Sequence, residues 1–426
     1  MVGVIIFAAA LILLFFGYYV AYTFAGVSLI VGYLFLGDDL FAFMPFRIMA
    51  IMENTVMMAI PMFILMGIIL QRSGLAEKML ESMGKLFGSF AGGLAISTVL
   101  VGSFLAASTG VVGASVVAMG VISLPVMLKY NYDPRLATGT ICASGTLGQI
   151  VPPSIVLIIL GDVMGISVGD LFKAAVLPSL MLIGAYTLYI LFVAKTQPQR
   201  CPPIEINEDR GVVLRQALSH IIPTLLLIVV VLGSIFLGIA TPTESAAIGA
   251  VGAVILSLIF GSFSLAGLME SSMECVKVTS MVFAVLLGAT AFSLVFSYGG
   301  GDYLIEDFFT SMPGEKWAFV IIAMAVILTL GFFIDFIEIA FIVVPILAPI
   351  AELMGINMVW FAILIAMNLQ TSFLTPPFGF SLFYLKGVAK ESVKTTTIYR
   401  GVIPFVILQL IVLLLIVLFP DTFILY

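Results

Sequence analysis

The chain has 426 residues, 62% of them apolar and only 9% charged, with a formal net charge of −6. A soluble domain carries about 25% charged residues because its surface must face water. That composition excludes an aqueous globular fold. Taken in chain order, the apolar stretches recur nearly end to end, for example at 4–36, 221–260, 317–330 and 401–419. A helix needs about 20 apolar residues to cross the hydrocarbon core, which leaves room for roughly ten to twelve spans. The alternating pattern of a membrane barrel is absent, so helices must satisfy the backbone in lipid. The opening MVGVIIFAAALILLFF has neither a basic region nor a small-residue cleavage site with polar flanks and reads as a retained first span. Cys142, Cys201 and Cys275 are scattered and suggest no disulfide framework or metal cluster. His220 reads as a helix-end residue near a loop.

One long polar stretch, KTQPQRCPPIEINEDRG (195–211), divides the chain into two hydrophobic halves and reads as a linker. Lys195, Arg200, Arg210 and Arg215 make the 195–219 segment basic, which places it in the cytoplasm. A second basic group is Lys386, Lys390, Lys394 and Arg400. Each half contains a double proline in an apolar setting, ASGTLGQIVPPS (143–154) and NLQTSFLTPPFG (368–379). Pro125 precedes Pro152 by the same interval that Pro349 precedes Pro376. The offset that aligns these prolines also sets ASTGVVGAS (107–115) opposite GFFIDFIEI (331–339). Two landmarks at a single offset indicate a duplicated unit.

Proline inside a membrane helix removes a donor and clashes with the carbonyl four residues back. Backbone groups freed this way are tolerated only where they are buried in protein or line a polar cavity. Gly145, Thr146 and Gly148 loosen the first break, as Thr371, Ser372 and Thr375 loosen the second. An unwound segment offers carbonyl oxygens to a hard cation, and the half-helix after it offers N–H groups to an anion. The polar stretches 103–115 and 331–339 then read as tips of re-entrant hairpins. Asp335 and Glu338 lie three residues apart in the second, where ionisable groups are costly and usually functional. Thr241 and Glu244 have the spacing of a helix-capping box. The run 299–301 reads as a flexible glycine loop. No zinc, Walker or serine–histidine signature stands out, so the protein is expected not to be an enzyme.

Five segments together, GYYVAYTFAGVSLI (17–30), AIPMFILMGIILQRSGLAEKM (59–79), GTLGQIVPPS (145–154), ATPTESAAIGAVGA (240–253) and LTPPFGFSLFYLKGVA (374–389), carry a family resemblance. Over essentially its whole length the chain resembles the large membrane subunit of tripartite ATP-independent periplasmic (TRAP) transporters. The resemblance implies an all-α polytopic fold with an inverted repeat and two re-entrant hairpins. It also implies an elevator mechanism in a bacterial inner membrane, driven by Na⁺. Its partners would be a small four-helix membrane subunit and a soluble periplasmic substrate-binding protein, with membrane lipid around it and no nucleic acid. Carried over by motif, one Na⁺ site would use Ser103 and Ser108 with Gly145, Gly148 and Val151. The other would use Gly331 and Asp335 with Thr371, Ser372 and Thr375.

The expected substrate is a small organic anion, a carboxylate, held by helix N-termini and hydroxyls. Candidate contacts are Thr109, Pro152 and Ser154 in the first unit, and Glu338, Pro376, Gly379 and Lys386 in the second. The expected layout is scaffold helices at 1–89, a first transport repeat at 90–178 and further scaffold at 179–309. A second transport repeat at 310–400 and a terminal helix at 401–426 complete it. The second hairpin, FIDFIEIAFIVVPI, is richer in charge and bulk than the resemblance implies for sialic acid and C4-dicarboxylate members, which counts against sialic acid and keeps it open beside a 2-oxo acid or another carboxylate. Two rivals are a self-sufficient ion-coupled anion symporter or antiporter, and an intramembrane enzyme using Asp335, Glu338 or Glu244.

Overall fold

The computed structural model describes residues 2–204 and 209–423; the side chains of Phe15, Ser108, Thr109, Arg210, Glu315 and Phe423 lie outside the described set. Every regular element among the described residues is a helix. Seven helices among the described residues are long and apolar enough to cross a membrane. Ala59–Arg72 and Leu75–Phe87 make an eighth span if counted together across their 58° bend. That bend pivots on Gly74, whose φ of 68° lies in the left-handed region. The rest of the apolar sequence forms shorter helices, because glycines and prolines cut it. Counting long helices alone therefore falls short of ten to twelve.

The duplication extends well beyond the prolines. At matched positions Asp133 and Asn357 begin Pro134–Thr146 and Met358–Leu374, accepting from Arg135 N–H (2.8 Å) and Trp360 N–H (3.0 Å). These are ordinary N-caps. Val112–Lys129 is matched by the run from Phe336 to Leu353, and Val168–Thr196 by Thr395–Leu418. Leu75–Phe87 is matched by Gly301–Thr310. The repeat thus covers helices outside the two hairpins as well.

Each hairpin packs on its own broken helix and on the other repeat's second half-helix. Gly93–Thr109 and Val112–Lys129 form the first hairpin and pack on Pro134–Thr146; Val112–Lys129 also packs on Phe380–Ala389. In the second hairpin Glu315–Leu330 packs on Met358–Leu374, while the 336–353 limb meets Ile155–Val163. Pro134–Thr146 crosses Thr395–Leu418 at backbone contact. A Cβ on Gly139 would lie 2.1 Å from the Gly401 carbonyl oxygen. Small residues are what allow such an approach between membrane helices.

Around this interlocked unit stand Val20–Leu36, Ala59–Arg72, Pro242–Ile259 and Leu265–Tyr298, which pack mainly on one another. The expected capping box is present: Thr241 Oγ1 accepts from Glu244 N–H (3.3 Å) and Glu244 accepts from Thr241 N–H (2.8 Å). His220 is not at a helix end. It lies ten residues into Arg210–Phe236, pairs with Ser82 Oγ (2.8 Å) and sits beside the Phe260 ring. Gly299–Gly301 is a turn and not a loose loop, since Gly3 N–H donates to the Gly299 carbonyl and a Cβ on Gly3 would meet Gly301 Cα at 2.6 Å.

The central linker is shorter than its polarity indicated. Val168–Thr196 runs through Lys195, and Asp209 caps a helix that already holds Arg215. Its described part is stitched to the start of the first repeat. Gly92 N–H donates to the Cys201 carbonyl (2.9 Å), Ile204 N–H to Gly88 (2.7 Å) and Asp133 N–H to Arg200 (2.8 Å). The Arg200 guanidinium pairs with Asp133 at 2.6 Å. Beneath this strap, burial pushes the Tyr132 phenol up to about 12, and its oxygen accepts from Leu94 N–H.

Candidate functional site

Both breaks fall at the double prolines. Pro134–Thr146 tightens into a short 3₁₀ turn at Leu147–Gln149 and resumes as Ile155–Val163. Met358–Leu374 stops at Thr375 and resumes as Phe380–Ala389. The Pro152–Pro153 and Pro376–Pro377 bonds are cis. At the first break Ser154 Oγ donates to the Gln149 carbonyl (2.7 Å); at the second, Ser381 Oγ donates to the Phe373 carbonyl (2.8 Å). Residues 149 and 373 are matched by the repeat offset, so the two breaks are stabilised alike.

The first hairpin turns at Gly110, in left-handed geometry (φ 60°) against Ile155. Its outgoing limb touches the break backbone directly, because a Cβ on Gly148 would lie 2.8 Å from the Ala106 carbonyl oxygen. Gly145 is equally tight against Val116 (2.4 Å). Ser103 lies on the limb, not at the tip, and its hydroxyl donates to the Leu100 carbonyl (2.7 Å). Val151 and Pro152 lie in the break and Ser154 opens the half-helix after it. Ser108 and Thr109 end the limb, with side chains outside the described residues.

In the second unit Gly331 meets the broken helix. A Cβ there would lie 2.2 Å from Ser372 Oγ. Thr371, Ser372 and Thr375 turn their hydroxyl hydrogens onto the carbonyls of Met367, Leu369 and Thr371 at 2.7–2.9 Å. A hydroxyl that donates this way keeps its lone pairs free to accept. Asp335 and Glu338 do more than share a helix face. They form a capping box, with Asp335 accepting from Phe336 N–H (2.7 Å) and Glu338 accepting from Asp335 N–H. Gly379 lies against the Phe373 and Thr375 carbonyls, right after the Pro376–Pro377 bond. The hydroxyls, carboxylates and carbonyls named here offer oxygen donors, a set suited to a hard cation.

Lys386 is not brought to either tip. It lies in the second turn of Phe380–Ala389, and its ammonium donates to the Lys390 and Val393 carbonyls. Helix ends leave carbonyls unpaired, and a lysine near a C-terminus satisfies them.

Sequence reasoning missed two residues. Tyr384 lies against the first hairpin: its ring would be 2.8 Å from a Cβ on Gly113. Only the tertiary crossing of the repeats brings it there. Gln149, fully buried at the first break, is the other. Beside the second tip a cavity of about 350 Å³ is lined by Leu11, Leu14, Phe332, Phe333, Phe378, Phe380 and Phe383, among others.

Comparison with known proteins gives a single answer. The family model of the tripartite ATP-independent periplasmic transporter, DctM component, matches residues 7–422. The C4-dicarboxylate TRAP transporter large permease DctM of Rhodobacter capsulatus is 31% identical over 386 residues, covering 86% of each chain. The sialic acid TRAP transporter large permease SiaM of Vibrio cholerae is 29% identical over 87% of this chain and 85% of its own. The isethionate TRAP transporter permease DctMQ of Oleidesulfovibrio alaskensis is 29% identical over 84% of this chain and 56% of its own. In fold, the YdaH transporter of Alcanivorax borkumensis superposes with a TM-score of 0.64 over 97% of this chain and 98% of its own, at 12% identity. With the family model spanning nearly every residue, the chain belongs to the large permease (DctM) family of TRAP transporters, which are secondary transporters of bacterial membranes.

Proposed function

We propose that this permease couples a Na⁺ gradient to the import of a small organic acid anion, handed over by a periplasmic binding protein and assisted by a small membrane subunit. One observation carries the reading. Two repeat-related junctions each press a glycine of the hairpin–break contact onto the oxygen-bearing group opposite, Gly148 on the Ala106 carbonyl and Gly331 on Ser372. Bound cations at these junctions would supply the driving force and local positive charge. The chain's own share is positional. The serine and threonine hydroxyls donate to carbonyls of their own helix and keep lone pairs available to accept, and the capping box holds the second tip in one conformation. The anion would sit between the tips, near Tyr384 and the half-helices that begin after each break. The interlocked hairpin unit would move against the surrounding helices as an elevator.

The relatives named for C4-dicarboxylate, sialic acid and isethionate support an acid anion and leave a sulfonate as open as a carboxylate. The DctMQ relative supports a small-subunit partner through its name. Uptake of a labelled acid into proteoliposomes holding both membrane subunits, with binding protein added, tests the proposal. Uptake should need Na⁺ and the binding protein. Uptake unchanged in choline would refute the coupling. Uptake without the binding protein would favour a self-sufficient symporter.

A further inference from the structure

We infer that Gln149 is a substrate-binding residue at the first break, whose carboxamide nitrogen donates to an acidic oxygen of the transported anion. Gln149 is 0% exposed, and neither Nε2 nor Oε1 has a hydrogen-bond partner among the described residues. A buried carboxamide left unpaired on both atoms is costly, and folded proteins keep few such groups. The 3₁₀ turn that carries it packs against both limbs of the first hairpin and against Met358–Leu374. The turn therefore sits where the first hairpin and both broken helices converge.

The second repeat provides an internal control. Phe373 occupies the matched position, and its carbonyl accepts a serine hydroxyl just as that of Gln149 does. The break therefore forms with an apolar side chain, and its backbone does not require a carboxamide. Phe373 packs on Phe336 and Phe380 and has nothing to satisfy. The contrast assigns a ligand-facing carboxamide at this matched position to the first break; the buried carboxamide of the second broken helix, Gln370, lies three residues before Phe373. No lysine or arginine occupies either break or tip, so a neutral donor must recognise the anion here. Oε1 then remains to accept from a ligand hydroxyl or to face a cation.

The assignment rests on the transport reading above, and the experiment separates the two. Uptake of labelled succinate, sialic acid and isethionate would be measured in the three-component proteoliposome system for wild type, Q149L and Q149E. Losing a hydrogen bond to a charged group should raise the KM for the transported acid about 10- to 100-fold in Q149L. The melting temperature in detergent should be unchanged or higher, because leucine removes two orphaned atoms. Q149E is nearly isosteric but negative, and should lose at least as much affinity. A stable Q149L with a wild-type KM overturns the assignment alone, whereas wild type lacking Na⁺-driven uptake overturns the transport reading. A falling melting temperature with unchanged KM would assign Gln149 a purely structural role and also overturn the inference. A structure determined in NaCl with succinate is an independent arbiter. An acid oxygen within about 2.7–3.2 Å of Nε2 supports the assignment; a carboxamide paired wholly with protein groups overturns it.

Discussion

Replacing Gly331 by alanine perturbs the second junction. The added methyl would lie 2.2 Å from Ser372 Oγ, 2.7 Å from Ser372 Cβ and 3.2 Å from the Ile327 carbonyl oxygen. Carbon atoms in good contact sit about 3.5–4.0 Å apart, so tip and helix must separate by roughly 1 Å. Overpacking of this kind costs about 1–3 kcal/mol. If the closed tip is the ion-binding form, its population falls by about 5- to 150-fold and apparent Na⁺ affinity falls in proportion. The assay is the Na⁺ concentration dependence of acid uptake in proteoliposomes. The partner substitution Ser372→Gly removes both closest atoms but also the hydroxyl assigned to the ion site, so the G331A/S372G double variant should regain melting temperature without regaining Na⁺ affinity. About 1 kcal/mol of glycine's helix cost will remain. A G331A protein with wild-type Na⁺ dependence, or a double variant no more stable than the single, would refute the reasoning.

Further outcomes follow from other contacts. Glu338→Gln keeps an oxygen that accepts from Asp335 N–H and should fold normally, whereas Glu338→Ala loses the cap at about 0.5–2 kcal/mol, read as a lower melting temperature. Lys386→Met should lower stability by leaving the Lys390 and Val393 carbonyls without its ammonium while leaving the substrate KM unchanged, since Lys386 faces neither tip. Gly139→Ala places a methyl 2.1 Å from the Gly401 carbonyl, and size-exclusion profiles should show little folded protein. Arg200→Ala breaks an ion pair whose partners are both partly exposed, so its own effect should stay near 1 kcal/mol and shrink in high salt.

Much of this architecture was legible because its signals are covalent. A double proline breaks a helix wherever it stands, and the common offset of the two pairs exposed the repeat that the N-caps Asp133 and Asn357 then follow. Thr241 and Glu244 were readable because a capping box is set by spacing alone. What depends on long-range packing was not legible. Lys386 looked like the cation nearest a break, yet a four-carbon side chain reaches its own helix end first. Ser103 was placed at a tip that the chain reaches only at Gly110. His220 finds Ser82 from a distant helix, and Tyr384 reaches the opposite hairpin only because the repeats cross. The linker read as a spacer because polarity reveals exposure, whereas its bonds to Gly88 and Gly92 are backbone contacts without a sequence trace.

The coupling of ion to solute at the two junctions is tested most directly by counting both fluxes in one vesicle preparation. With the binding protein and small subunit present, labelled Na⁺ and labelled acid should enter in a fixed ratio across a range of gradients, and acid entry should stop when the Na⁺ gradient is collapsed. Acid accumulation with no accompanying Na⁺ entry would contradict the account.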